Sequence, residues 1–198
     1  MKHLSTSDYI EMPWKNGRGM TTEIMKRERA QRIQYRLSSA IVETSGPFSL
    51  FPGLRRILVN LGPSSMTLRM NGSTTSQDSQ RLDPGQIYQF EGDIPIDCEV
   101  ERSSRDFNIF YDPLRMDVKV RCAAIGEQAS VAIPRTGTVF LFVISGRIQA
   151  RSIAQGKTCE AKAFESIFIE NSSHDDEWKI LVLLDPWWVI SLKIKQKA

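Results

Sequence analysis

The sequence predicts an all-β fold of the sandwich or jelly-roll kind, and three observations carry that prediction. Apolar side chains recur with a period of two, continuous apolar runs are short, and no segment makes a convincing long amphipathic helix. Along the chain, Ile33, Tyr35 and Leu37 alternate with Gln34, Arg36 and Ser38, as in a strand with unlike faces. Met66, Leu68 and Met70 alternate with Thr67 and Arg69, and Ile96, Cys98 and Val100 with Asp97, Glu99 and Glu101. Val139 to Ile144 and Ile180 to Leu184 are continuous apolar runs that read as strands covered on both faces. Trp188, Ile190, Leu192 and Ile194 resume the alternation near the end. Asn71-Gly72, Asp83-Pro84-Gly85, Glu91-Gly92-Asp93 and Ser145-Gly146 supply the turns between them. Residues 23–32 have the propensity for a short helix, while their charge fits equally a strand and an exposed hairpin.

The pattern carries a hint of duplication. An apolar strand ending in a glycine turn, Ile57 to Gly62 and again Phe140 to Gly146, is followed by a turn and a short apolar strand, Gly85 to Phe90 and again Glu165 to Ile169. Two successive cupin-type barrels would read this way. A turn signal at Asp112-Pro113 places the boundary between residues 1–112 and 113–198, with terminal strands able to cross from one barrel to the other. The formal net charge of +3 is mild and dispersed, apart from Lys26-Arg27-Glu28-Arg29 and the lysine-rich tail, which argues against a nucleic-acid partner. No apolar run reaches the roughly 20 residues of a membrane helix, and no apolar signal region opens the chain. Cys98, Cys122 and Cys159 lie far apart, which suits a reducing compartment. The expectation is a soluble cytoplasmic protein.

Two clusters concentrate chemistry. Trp14-Lys15-Asn16-Gly17-Arg18-Gly19-Met20-Thr21-Thr22-Glu23-Ile24 gathers an aromatic ring, cations, an amide, hydroxyls and a carboxylate around two glycines. Downstream, Arg36-Leu37-Ser38-Ser39-Ala40 is followed by Gly46-Pro47-Phe48-Ser49-Leu50-Phe51-Pro52-Gly53-Leu54-Arg55-Arg56. Together with Phe90-Glu91-Gly92-Asp93 and Asp106-Phe107-Asn108, these segments resemble the HutD/Ves family of bacterial proteins. The resemblance is strongest from Trp14 to Arg56 and thin after about residue 115. Arg18 departs from it by replacing a motif glycine, and Tyr35 stands where the family usually has tryptophan. The resemblance implies a bicupin, two jelly-roll β-barrels in one chain. The family name associates it with bacterial histidine utilisation, which implies an acidic breakdown intermediate such as an acylated glutamate as the ligand class.

Metal-dependent cupins hold their ion with histidines and a carboxylate, and this chain has only His3 and His174. The pattern puts His3 in the chain start and His174 in a polar turn, neither in a strand, so neither a metal site nor a histidine-based triad is expected. No cofactor motif is present. The remaining candidates are cations and amides. Arg36 and Ser38 share a strand face, and an arginine fork suits a carboxylate. If the opposite face points inward, Arg36 is merely solvated. Arg56 opens an apolar strand and is made a second anion contact by the resemblance. Phe48 flanks Ser49 in a loop set by prolines, either as a plug or as a pocket wall. Trp14 offers a wall, Lys15 a cation, Asn16 a donor and an acceptor, and Glu23 a partner for an arginine. Asp93 and Asn108 join the set only because they sit at matched positions. The Trp187-Trp188 pair reads as packing or interface.

The favoured expectation is a metal-free bicupin that binds a small anionic metabolite and senses or modulates. One rival is a metal-independent enzyme on a small carboxylic acid, with Glu23 or Asp93 as base, which a carboxylate of strongly raised pKa in the pocket would favour. The other is a protein-interaction scaffold with a protein partner or a homodimer.

Overall fold

The computed structural model describes residues 1–14, 19–70, 78–123, 128–132, 137–153, 155–170 and 177–197. Lys15, Asn16, Arg18, His174 and the Asn71-Gly72 turn lie outside the described residues. The strands are β1 (Lys2–Leu4), β2 (Ile10–Pro13), β3 (Gly19–Arg29), β4 (Arg32–Val42), β5 (Gly46–Pro47), β6 (Arg55–Gly62), β7 (Met66–Met70), β8 (Ser79–Leu82) and β9 (Ile87–Glu91). They continue as β10 (Ile96–Val100), β11 (Ser104–Tyr111), β12 (Met116–Ala123), β13 (Gln128–Ala132), β14 (Gly137–Ser152), β15 (Thr158–Lys162), β16 (Ser166–Glu170) and β17 (Glu177–Gln196). Among the described residues, helix is limited to a 3₁₀ turn at Thr6–Asp8 and the 3₁₀ residue Asp78. None of the described helix is long and apolar enough to cross a membrane. The fold is all-β.

The chain divides into two compact units, Tyr9–Leu114 on the one hand and Met1–Asp8 with Arg115–Ala198 on the other. In the first, a six-stranded sheet in the order β2-β3-β4-β11-β6-β9 faces a four-stranded sheet in the order β5-β10-β7-β8. Val42, Leu58 and Phe90 from the larger sheet pack with Met66, Leu68, Leu82, Ile96 and Cys98 from the smaller one. Burying such side chains contributes about 1.5–3 kcal/mol apiece before the entropy of ordering the chain is set against it. Among the described residues the sheets end in open edges, β2 and β9 on one and β5 and β8 on the other, so this unit is a sandwich and its sheets are not closed barrels.

The second unit holds one seven-stranded sheet, β1-β16-β14-β17-β12, with β13 on β17 and β15 on β14. It carries an aliphatic core cluster of Val139, Leu141, Val143, Ile148, Ala150, Ala161, Ile167, Ile169 and Val189, and Phe140 and Phe142 are buried as well. Here the sequence reading needs two corrections. Ser145-Gly146 is not a turn but an irregularity inside the long strand β14, where the register shifts and Gly146 takes a φ of 80°. His3 lies in a strand, because β1 pairs with β16, and its Nε2 sits 2.9 Å from Glu165 Oε2. In the first unit, residues 23–32 form the strand-and-hairpin alternative. The β3–β4 reversal has positive φ at both Ala30 and Gln31, the twist-matched geometry of a two-residue hairpin.

Candidate functional site

The site begins with β11, the central strand beside both β4 and β6. Period-two alternation puts Asp106, Asn108 and Phe110 on one face of it, and Phe107, Ile109 and Tyr111 on the other. Register does the rest. Phe110 stands opposite Arg36 on β4 and opposite Arg56 on β6, while Asn108 stands opposite Ser38 and Asp106 opposite Ala40. Two arginines thus reach the same interior face from either side of one phenyl ring. Both faces of these central strands are buried, with Tyr35, Leu37, Phe107 and Ile109 covered as fully as the polar row.

That face lines a cavity of about 550 Å³ within the Tyr9–Leu114 unit. Trp14, Thr21, Arg36, Ser38, Phe48, Ser49, Phe51, Arg56, Asp106, Asn108 and Phe110 all contribute to its wall. Of the residues nominated from sequence, Glu23 stands behind the wall and donates no surface to it, and Asp93 is exposed in the turn after β9. Lys15 and Asn16 lie outside the described residues.

Arg56 is 5% exposed, and aromatic faces surround it. Its guanidinium carbon lies 4.2 Å from the centroid of Phe48, 5.1 Å from Phe110 and 5.3 Å from Phe90. At such distances ring quadrupoles attract a cation, by about 2 kcal/mol where water is excluded. Its Nε and Nη2 both donate to Asn108 Oδ1, at 2.9 and 2.6 Å. The nearest carboxylate oxygen, Asp106 Oδ2, is 3.9 Å from Nη2, an ion pair without a hydrogen bond. Loss of solvent pulls the Arg56 pKa down to about 10, with Asp106 opposing the fall. The residue therefore stays cationic near neutrality.

Arg36 is held differently. Its Nε donates to Glu23 Oε2 at 2.6 Å, with both side chains about 15% exposed. Its guanidinium carbon lies 5.7 Å from the Phe110 centroid and 6.0 Å from that of Phe51. Among the described residues, the terminal nitrogens of Arg36 and Nη1 of Arg56 make no hydrogen bond.

Asp106 has no solvent exposure at all. Its Oδ1 accepts from the Ala40 amide at 3.0 Å and from Asn108 Nδ2 at 2.6 Å. Its Oδ2 accepts no hydrogen bond and has no solvent contact. Burial pushes the carboxyl up to about 6 against the pull of Arg56 and of its hydrogen-bond donors. Asp106 was not among the nominated residues, although its alternation with Phe107 places it in the same row as Asn108.

The loop from Phe48 to Leu54 closes one side. Phe51 packs on Phe110 with centroids 4.2 Å apart. Gly92 fixes this loop, since its amide donates to the Leu54 carbonyl and its own carbonyl accepts from the Phe51 amide, each at 2.7 Å. A Cβ at Gly92 would come within 2.6 Å of the Phe51 carbonyl, so only glycine permits the approach. Opposite, Trp14 Nε1 donates to Thr21 Oγ1 at 2.8 Å, and its ring leaves no room for a Cβ on Gly19. Tyr35 is 2% exposed and donates its hydroxyl to Met25 Sδ at 3.8 Å.

The chain is similar over residues 6–182 to the family model described as HutD. A 21.2 kDa Pseudomonas putida protein described as lying in the hutC 3′ region is 34% identical over 149 residues, which span 74% of this chain and 75% of that one. This chain belongs to the HutD family. Among solved structures, a conserved protein of unknown function from Pseudomonas aeruginosa PAO1 matches this HutD-family chain with a TM-score of 0.87 at 28% identity, covering 100% of this chain and 99% of that one. HutD from Pseudomonas fluorescens SBW25, solved in a formate condition, matches with a TM-score of 0.82 at 22% identity over 100% and 99% of the two chains. The fold reaches further, to a cupin 2 conserved barrel domain protein from Leptotrichia buccalis, with a TM-score of 0.54 at 11% identity over 90% and 89%. The HutD-family fold is thus cupin-like.

Proposed function

We propose that this HutD-family protein is a bicupin of two jelly-roll units that binds a small carboxylate in the cavity of its Tyr9–Leu114 unit. It acts there as a cytoplasmic sensor or modulator of an acidic metabolite in histidine breakdown, and binding requires no metal. One observation carries the reading. Arg56 is a buried cation whose fork holds an amide oxygen, with its closest carboxylate oxygen at 3.9 Å and Nη1 unpaired among the described residues. Keeping a charge away from water costs several kcal/mol unless a counter-charge bonds it directly. A ligand carboxylate on Arg56 would supply that bond, with Arg36 as a second donor and Ser38 and Ser49 alongside. The phenyl rings and Trp14 suit the carbon skeleton of such an acid. The P. putida relative's place near hutC and the formate condition of the P. fluorescens HutD structure agree with this class of ligand.

The enzyme reading draws support from Asp106, whose raised pKa is the property a general acid or base needs. Its geometry argues for a different use. One oxygen is committed to two donors and the other has no solvent contact, so neither is poised to reach a substrate proton.

The test is a thermal-shift screen with formate, acetate, succinate and glutarate. An acid at a hundred times its Kd should raise stability by about 2.7 kcal/mol. Arg56→Met, close in volume and uncharged, should abolish the shift, and proton NMR should recover the acid unchanged. A wild type indifferent to every acid, or a variant that shifts equally, would sink the binding reading. Conversion of the acid would install the enzyme reading instead.

A further inference from the structure

We infer that the cavity takes up one proton together with its carboxylate ligand, and that Asp106 is the group that accepts it. This rests on the carboxylate-binding reading above and adds to it a charge-coupled mode of recognition.

Charge must balance in a closed space. The groups around Asp106 are Arg56 from β6, Arg36 from β4 with its partner Glu23 from β3, Cys98 from β10, and Arg105 next to it on β11. Burial pushes the Cys98 thiol up to about 12, so it is neutral. Among the described residues, each arginine of the cavity lining already has a carboxylate, Arg36 the Glu23 behind the wall and Arg56 the lining Asp106, while Arg105 stands outside the lining, so no lining cation is left over for an incoming anion. A carboxylate that docks on Arg56 with Asp106 still ionised would place two negative groups on one buried cation. Burying an uncompensated charge is costly, and a group in that position neutralises instead.

Asp106 is the group built to do so. It is completely buried, and its Oδ2 accepts nothing. A proton on Oδ2 would leave intact both hydrogen bonds to Oδ1, from the Ala40 amide and from Asn108 Nδ2. Asn108 would also keep its place under Arg56, because its carbonyl faces the guanidinium and its amide faces Asp106. Glu23 lies outside the cavity lining and is tied to Arg36, whose Nε–H its Oε2 receives at 2.6 Å. Burial sets the Asp106 carboxyl at about 6, and a ligand's negative charge moves it higher still. The sign follows. Well below that pH the proton is already present and binding takes up none. Above it, binding draws a proton in, and affinity falls with rising pH by up to about tenfold per unit.

The test uses formate and the full-length protein. Calorimetry at about pH 7 in two cationic buffers of different ionisation enthalpy counts the protons taken up per formate bound. The expected count is between one half and one for the wild type, with affinity falling at least about threefold for each pH unit above 6. Asp106→Asn keeps the Oδ1 acceptor and imitates the protonated acid. It should bind formate with no proton uptake and with one affinity at all these pH values. Wild-type binding without proton uptake, or undiminished uptake in a folded Asp106→Asn, would overturn the inference while leaving the carboxylate reading standing. If formate and the other screened acids bind at no pH, both fall together. Should Asp106→Asn not fold, the wild-type proton count alone decides.

Discussion

The two units of the chain make opposite use of an all-β interior. In the Arg115–Ala198 unit the core cluster is aliphatic throughout, from Val139 to Val189. Its most buried carboxylate among the described residues, Glu165, holds His3 Nε2 and the Lys162 amide on Oε2. In the Tyr9–Leu114 unit an equally good apolar cluster sits beside a row of buried polar groups, Arg56, Asp106, Asn108 and Ser38, around an open cavity. Strands of this kind therefore do not need charge inside to pack. The polar row is a burden on stability that the aliphatic cluster of the other unit does not carry among the described residues, and real proteins carry such burdens where function requires them.

The aliphatic core should feel truncation most. Leu141 is fully buried in it, so Leu141→Ala should cost about 2–5 kcal/mol of unfolding free energy, read by denaturant titration. Carboxylate affinity in the folded fraction should not change. An equal loss of affinity would mean that the division of labour between the units is wrong.

A second expectation sharpens the contrast through pH. The unfolded Asp106 carboxyl releases its proton near the ordinary value of 3.8, and the folded one only at about 6. Between those values the folded state holds the extra proton, so stability falls as pH rises through that window and levels off above it. The whole effect is on the order of 3 kcal/mol. Asp83 and Glu99 have lowered pKa values and slope the other way, so the measure is wild type against Asp106→Asn at each pH. The variant should gain on the wild type as pH rises. A constant difference from pH 4 to about 7 would show that Asp106 is not the strained group.

How far the sequence discloses all this differs between fold and site. Alternation in Ile33–Ser38 and Met66–Met70 is a local property, and both segments are strands, β4 and β7. The lengths of β14 and β17 are not local. Ser145-Gly146 carries turn chemistry, but pairing of β14 with β17 on either side of it keeps the strand going through a bulge. In the site, the same alternation names the Arg36 face yet cannot say which face meets the cavity, because both are buried here. Asp106 escaped for a related reason. An isolated Asp in an apolar strand reads as solvated, and only its register opposite Ala40, beside Asn108 and Arg56, reveals a buried carboxylate.

Arg36 and Arg56 allow a finer cut within the one cavity. Arg36 is partly exposed and already paired with Glu23, so Arg36→Ala should weaken carboxylate binding by about 1.5–3 kcal/mol, less than the loss of Arg56. Arg36→Lys should recover part of this, since the ammonium keeps the charge and loses the fork. Calorimetric titration of both variants decides it. Equal affinity in wild type, Arg36→Ala and Arg36→Lys would reduce Arg36 to a solvated cation.

The smallest effect belongs to Asp93, and its neighbour shows why. Glu91-Gly92-Asp93 suggests a carboxylate near the ligand, but Asp93 is exposed and forms no part of the cavity wall. What the turn contributes is Gly92, whose backbone bonds hold the Phe51–Leu54 loop against the cavity. A Cβ there would press on the Phe51 and Leu54 carbonyls at 2.6 and 2.7 Å, backbone atoms that cannot rotate away. Gly92→Ala should therefore move the loop that carries Phe48, Ser49 and Phe51, and weaken both stability and binding. Asp93→Ala should leave affinity unchanged and stability within about 0.5 kcal/mol. Measured side by side by thermal shift with and without formate, the two substitutions separate a residue that shapes the cavity from one that merely adjoins it. A loss of formate binding in Asp93→Ala as large as that in Gly92→Ala would bring Asp93 back into the site.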